Sequence, residues 1–199
     1  NTTDKGTVRL ILNNASISNT TTAPIKVLDA KKVILTLADN TTNTITDSSR
    51  LSTEEDYSAV IYSKEDLIIN GNGTLNVNAG YRNGIKSTDD CIIVSGTLNI
   101  TSTEDGIIGK DLCGIVAGDI NINAGSDGIK STYDTDTTKG NVIIEGGNIT
   151  IKASNDGIQA ENILVINDGT INIKTNNGAA DTTQTHIDNM DMGRGGFGF

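Results

Sequence analysis

Residues 125–131 read "GSDGIKS", and close relatives of that stretch recur as "YRNGIKS" at 81–87, "TEDGIIG" at 103–109 and "SNDGIQA" at 154–160. Setting the glycines in register, with one later match, aligns Gly84, Gly106, Gly128, Gly157 and Gly178 at intervals of 22, 22, 29 and 21 residues. The long interval contains one insertion, "YDTDTTK" at 133–139, after which the repeat resumes. Two further columns keep the same period. One runs "GTLNVN" at 73, "GTLNIT" at 96, "GDININ" at 118, "GNITIK" at 147 and "GTINIK" at 169; the other is an apolar run, "LIIN" at 67, "CIIV" at 91, "CGIV" at 113, "VIIE" at 142 and "ILVI" at 163.

Within the second column apolar residues alternate strictly: Leu75 and Val77, Leu98 and Ile100, Ile120 and Ile122, Ile149 and Ile151, Ile171 and Ile173. Period two is the signature of strand, and self-similarity at this spacing marks a stacked-repeat architecture. Three short β-segments per repeat, divided by Gly and Asx turns, predict a single chain winding as a parallel β-helix. A leucine-rich repeat shares the period, but its Leu-rich signature is absent. Successive turns then stack about 4.8 Å apart, with inward Ile, Leu and Val forming aliphatic ladders. Less regular coils upstream bring the total to about seven or eight of about 22 residues, or roughly 35 Å of stack. The expected organisation is a β-helix over 1–181 followed by a Gly-rich tail over 182–199, which holds the lone His186. In the repeated turns, Asn83, Asp105, Asp127, Asp156 and Asn177 are read as Asx-Gly pairs that tolerate a left-handed conformation.

The chain carries a formal charge of −10 in 199 residues, with 22 Gly, one Pro and no Trp. That balance disfavours nucleic acid and anionic membrane, which require a basic patch. No apolar run approaches the roughly 20 residues of a membrane span. The opening "NTTDKGTVRL" has neither an initiator Met nor an apolar signal core, as expected of a mature or trimmed chain whose targeting segment is missing. Cys91 and Cys113 lack zinc-site spacing. They align in the third column, where they read either as a disulfide or as a buried thiol ladder.

Acidic residues follow the repeated turns: Glu65 and Asp66, Asp89 and Asp90, Asp111, Asp134 and Asp136 in the insertion, and Glu161. The winding places Glu65, Asp89 and Asp111 on adjacent coils at one corner. Stacked carboxylates at about 5 Å repel by roughly 1 kcal/mol even in water, so the column reads either as a solvated acidic edge or as an oxygen site for a hard divalent cation. The calcium reading takes Asp66, Asp89, Asp90, Asp105, Asp111, Asp127, Asp134 and Glu161 as candidate ligands. Lys86 and Lys130 share one position two coils apart. They read as surface charges, or, beside a calcium-held uronate, as ligand-binding residues or proton acceptors. Tyr81 and Tyr133 are the aromatic candidates for sugar contact. The outward Asn and Thr of the second column form a flat polar face able to hydrogen-bond sugar hydroxyls, or merely to solvate the sheet.

The "DGI-K-S" turns, the "GTLNI" strands, "KVILTLADNTTNTITD" at 32–47 and "SKEDLIINGNGTLNVN" at 63–78 together resemble the secreted carbohydrate-binding domain proteins of clostridia and related bacteria, β-helices akin to pectate lyases. The resemblance spans residues 5 to about 180. It implies a right-handed parallel β-helix, calcium on acidic turn residues, binding of plant cell-wall polysaccharide (cellulose-like glucan or acidic pectin), and export to the surface or medium. The Asp89 and Asp90 pair, with Asp66 one coil earlier, is similar to the calcium site of the family nine pectate lyases. Three functions follow as expectations: a non-catalytic, calcium-dependent polysaccharide-binding module; a pectate lyase using Lys86 or Lys130 as base; and a structural surface adhesin. The flat polar face would also permit pairing with a second copy.

Overall fold

Each repeat folds as three short strands joined by tight corners in the computed structural model, which describes residues 6–48 and 57–175. The first coil is β1 (Thr7–Leu12), β2 (Ser16–Asn19) and β3 (Ile25–Val27); the second is β4 (Lys32–Leu37), β5 (Thr42–Asp47) and β6 (Ala59–Ser63). The third holds β7 (Leu67–Gly71), β8 (Thr74–Ala79) and β9 (Asn83–Ser87), and the fourth β10 (Asp90–Ile93), β11 (Thr97–Ser102) and β12 (Ile107–Gly109). Then come β13 (Leu112–Ile115), β14 (Asp119–Ala124) and β15 (Ile129–Lys130), followed by β16 (Asn141–Ile144), β17 (Asn148–Ala153) and β18 (Ile158–Gln159). The last described coil has β19 (Leu164–Ile166) and β20 (Thr170–Thr175).

Corresponding strands stack into three sheets in strict coil order. The first sheet runs β1-β4-β7-β10-β13-β16-β19, the second β2-β5-β8-β11-β14-β17-β20, and the third β3-β6-β9-β12-β15-β18. Neighbours pair in parallel throughout, so the parallel β-helix is the architecture of the chain. No helix among the described residues is long and apolar enough to cross a membrane. The expected tail over 182–199, with His186, lies outside the described residues, as do Asn177 and Gly178.

The core is the triangular space between the sheets. It is filled by ladders such as Leu35, Ile69, Ile93, Ile115 and Ile144 from the first sheet and Leu75, Leu98, Ile120 and Ile149 from the second. The third sheet adds Ile61, Ile85, Ile107 and Ile129, and every one of these side chains is at most 1 % exposed. Each is worth about 1.5–3 kcal/mol of burial, and in-register stacking repeats the gain at every coil. Asn43 occupies the Leu75 ladder. Its buried amide donates to the Thr74 carbonyl at 3.2 Å and accepts the Ala15 N–H at 2.9 Å, which offsets the desolvation.

Two details differ from the sequence reading, and one open alternative is resolved. The repeated glycines are not in a left-handed conformation: positive φ occurs instead at the glycines opening the second column, such as Gly96 (114°) and Gly118 (117°), and at Arg82 (56°). Gly106 is glycine because of close approach, since a Cβ there would lie 2.5 Å from the Gly128 carbonyl oxygen and 2.6 Å from Ile122 Cγ2. The repeat "DGI" therefore marks a corner where backbones touch, and no side chain fits between coils. The last apolar run is offset by one residue, because Leu164, not Ile163, pairs with Val142. Of the two cysteine readings the structure adopts the thiol ladder: Cys91 and Cys113 are in register, free and fully buried.

Candidate functional site

The corner between the third and first sheets is built by serines. Ser63 Oγ donates to the Glu65 carbonyl at 2.7 Å, and Ser87 Oγ donates to the same carbonyl at 2.8 Å while accepting the Asp89 N–H at 3.1 Å. The serine ending each "GIKS"-type stretch thus bends the chain and fixes the acidic residues that follow it. Register does the rest. Cys91 stacks on Leu67 and Asp90 on Leu112, so Asp66 lies beside Asp90, and the Asp111 N–H reaches the Asp89 carbonyl at 3.3 Å. One carboxylate oxygen each from Asp66, Asp89 and Asp90 lies within 4.8 Å of the others, the one such grouping of three metal-ligating residues among the described residues. Asp89, Asp90, Asp111, Leu112, Thr138, Lys139, Asn141 and Ile143 bound an adjoining hollow of about 390 Å³.

The electrostatics are those of an anion cluster short of counter-charge. Burial, a hydrogen bond shared with Asp111 and the negative charges of Asp66, Asp111 and Asp90 raise the Asp89 pKa to about 6. Burial and the charges of Asp66 and Asp111 also raise that of Asp90, with Lys139 and Lys32 pulling it back. Lys32 Nζ stands 3.6 Å from Asp66, and Lys139 is ion-paired with Asp111. Lys139 lies in the insertion, outside the repeated columns, and Lys32 stands level with Asp66 in a less regular early coil, so the repeat gives no signal for either. Lys139 ends the insertion, which folds back so that Gly140 and Asn141 donate N–H groups to the Asp111 carbonyl at 2.7 and 3.1 Å. The insertion also brings Tyr133 to this corner, where its ring is 4.8 Å from Lys110 Nζ and 4.9 Å from Lys139 Nζ.

The remaining candidates are placed elsewhere. Asp105 and Asp127 belong to the opposite corner, between the second and third sheets, where an Asx ladder climbs the stack. Asn83 Oδ1 accepts the Asp105 N–H at 3.0 Å, Asp105 Oδ1 the Asp127 N–H at 3.0 Å, and Asp127 Oδ1 the Asp156 N–H at 2.9 Å. Asp127 Oδ2 takes the Lys130 ammonium at 2.6 Å. These two carboxylates hold coils together, at the other corner from Asp66, Asp89 and Asp90. Asp134 is exposed on the insertion, Glu161 is exposed beyond Gly140, and neither joins the cluster. Tyr81 also sits at the Asx corner, where its N–H donates to Asp47 at 3.2 Å. It is separated from the acidic cluster by the length of β9, so of the two aromatic candidates only Tyr133 stands at the acidic corner.

Lys86 and Lys130 do share one outward column, through Ile108. Lys86 Nζ donates to Ser58 Oγ at 3.4 Å. For Lys130, burial works to lower the pKa, but the hydrogen bond to Asp127 and the charges of Asp105, Asp127 and Asp156 outweigh it and raise it. That direction is the reverse of what a lysine base requires.

The polar face is the outside of the second sheet. Its amides bond one another along the stack, Asn99 donating to Asn76 at 2.9 Å and Asn121 to Asn99 at 3.1 Å. A shallow hollow of about 260 Å³ lies over Asn99, Thr101, Asn121, Asn123, Thr150 and Lys152.

Comparison with known proteins agrees with this architecture. The solved structure of a polysaccharide lyase-like protein from C. thermocellum, a gadolinium derivative, is similar with a TM-score of 0.74 and 33 % identity, over 85 % of this chain and 73 % of that one. A carbohydrate-binding domain-containing protein of Acetivibrio thermocellus is 39 % identical over 95 residues, which is 46 % of this chain and only 33 % of that relative. The chain thus matches about a third of the length of that curated relative. The family described as carbohydrate-binding domain-containing protein matches residues 1–195, and the chain, a parallel β-helix with a polysaccharide lyase-like neighbour, belongs to that family.

Proposed function

We propose that the protein is a non-catalytic module that binds acidic plant cell-wall polysaccharide through calcium at the corner formed by Asp66, Asp89 and Asp90. The observation that carries this is the convergence of three carboxylate oxygens within 4.8 Å, at the mouth of a hollow large enough for a sugar carboxylate. Hard divalent cations select such all-oxygen sets. The donors fit: burial, the hydrogen bond with Asp111 and the charges of Asp66, Asp111 and Asp90 push Asp89 up to about 6, and a cation would relieve the repulsive part. Asp66, Asp89 and Asp90 would hold the ion, with Asp111 beside them. When bound, calcium supplies positive charge that a uronate carboxylate can share, and so an acidic protein can take an acidic polymer.

The chain's own residues do the remaining work. Ser63 and Ser87 fix the corner, Lys139 and Lys32 limit the repulsion without a ligand, and Tyr133, with its ring beside Lys139, offers an apolar surface for a sugar ring. Such polymers lie outside the cell, so placement on the surface or in the medium goes with this reading.

The test is calorimetric titration of oligogalacturonate with calcium and with a chelator. Heat only in calcium, abolished by Asp89→Asn with Asp90→Asn, is the expected result. Heat in neither condition ends this reading. A second reading, a pectate lyase, draws on the lyase-like neighbour; rising ultraviolet absorbance from unsaturated products would establish it. The protonated state favoured for Lys130 argues against that residue as the base.

A further inference from the structure

The insertion "YDTDTTK" at 133–139 interrupts the repeat without adding to the core, since none of its residues is buried. Its shape is set locally. Asp136 Oδ1 accepts the Thr138 N–H at 2.9 Å and the Thr138 hydroxyl at 2.7 Å, while the Asp136 carbonyl accepts the Lys139 N–H at 3.0 Å. An Asp that bonds the backbone two residues on closes a turn by itself. The root is pinned separately, by the Gly140 and Asn141 N–H groups on the Asp111 carbonyl and by the Asn141 amide on the Thr138 carbonyl at 2.9 Å. The insertion is therefore a self-closed arm on a fixed root, and its fold does not require the ion pair that Lys139 makes.

That ion pair has a particular place. The Lys139 ammonium rests on the carboxylate of Asp111, whose side chain is 10 % exposed, whereas the Lys139 side chain is 41 % exposed. The same Asp111 carboxylate hydrogen-bonds Asp89, and Lys139 and Thr138 wall the hollow that Asp89, Asp90 and Asp111 also line. Three carboxylates of the corner thus converge on one another, while the fourth is held by an ammonium from the arm. Lysine is a compact monovalent cation on a flexible stem, and a solvent-exposed ion pair of this kind contributes little. A hard divalent ion carries twice the charge and selects carboxylate oxygen, so it is a stronger claimant for Asp111 than the ammonium is.

We propose that Lys139 is a tethered counter-ion that occupies Asp111 in the metal-free protein and yields that carboxylate to calcium, so that the insertion sets the calcium affinity of the corner and moves when the ion binds. The inference rests on the calcium reading given above and adds the regulation of that site. A ligand binds more weakly by the fraction of molecules that are competent to take it. Here the competent molecules are those in which Lys139 has left Asp111. Two neighbours make the idea testable. Tyr133 lies on the same arm, with its ring 4.9 Å from Lys139 Nζ, and so reports the arm's position. Lys110 carries the same charge 4.8 Å from the same ring, without the ion pair that Lys139 makes to Asp111. A lysine acting only through its long-range field would behave like Lys110; a tethered competitor would not.

The test is calorimetric titration of calcium alone into the wild type, Lys139→Met, Lys139→Arg and Lys110→Met, with melting curves confirming the fold. Methionine keeps the stem without the charge, and arginine keeps the ion pair. Lys139→Met should bind calcium about tenfold or more tightly than the wild type, because Asp111 is then always competent. Lys139→Arg should stay near the wild type, and Lys110→Met should gain less than about threefold, as for a nearby exposed charge. The chain has no Trp and four Tyr, so tyrosine emission follows the arm. Calcium should change that emission in the wild type, and the change should be lost in Tyr133→Phe and in Lys139→Met. Unchanged or weaker calcium binding by Lys139→Met, equal gains in Lys139→Met and Lys110→Met, or a wild-type emission that ignores calcium overturns the tethered counter-ion while leaving the calcium corner standing. Absence of calcium binding in the wild type and every variant overturns both, so the two failures are distinguishable.

Discussion

At Asp127 both carboxylate oxygens are engaged, one by the Asp156 and Asn155 donors and the other by Lys130. Burial alone would raise its pKa, but the hydrogen bonds from Lys130 and the Asp156 N–H outweigh it, and the value falls below the ordinary 3.8. A depressed carboxylate stabilises the fold above its unfolded pKa and loses that contribution as pH falls through the folded value. Asp127→Asn should therefore destabilise by about 1.5–3 kcal/mol near neutrality. The gap to wild type should close below pH 3.8, as read by denaturant melts across pH. Gly106 makes the second residue-scale prediction. The next coil's carbonyl oxygen lies 2.5 Å from the place a methyl group would take. Gly106→Ala thus forces the coils apart and should lower stability by about 1–3 kcal/mol, visible in thermal unfolding. The sequence showed that this residue pair recurs, but not why. Asx-Gly also suits a left-handed turn, and only the stacked coils reveal a contact between residues 22 apart.

Strands were legible where their pattern was unambiguous. The second column alternates, so its inward ladder follows from periodicity alone. Ile107, fully buried in the short β12, should cost about 2–5 kcal/mol as Ile107→Ala, measured by chemical denaturation. The third column reads instead as a continuous apolar run, and such a run does not disclose which residue faces outward. Hence the middle isoleucines of "LII", "CII" and "VII" are invisible as an exposed row until β7, β10 and β16 are seen edge to edge. The same ambiguity produced the one-residue offset at Leu164. Cys91 and Cys113 on β10 and β13 lie on the inward side, and burial pushes the Cys113 thiol up to about 12 and Cys91 well above its usual value. Both should be silent to a thiol-specific chromogenic reagent in the folded protein and react together after denaturation. Rapid labelling of the native protein would contradict the buried ladder.

Over the whole molecule, the acidic corner links three coils, so a ligand there clamps the stack. Calcium at about a hundredfold excess over its dissociation constant should add about 2.7 kcal/mol of stability. That gain should disappear with chelator or in Asp89→Asn with Asp90→Asn, and unchanged melting on chelation would count against the site. The sequence by itself determined the period, the strand type, the parallel winding and the gathering of acids at a corner, because these follow from local alternation and from a repeat that stacks like on like. It could not separate the two corners of the third sheet. The family resemblance had singled out Asp66, Asp89 and Asp90, but tertiary structure alone decided that Asp105 and Asp127, at the other corner, bond their neighbours' backbone. It also decided that the insertion folds Lys139 and Tyr133 back over them, and that one sheet presents an aliphatic row to solvent. The reason is geometric: repeat spacing fixes which residues stack between coils, whereas the angle of each bend fixes which side chains meet across a corner.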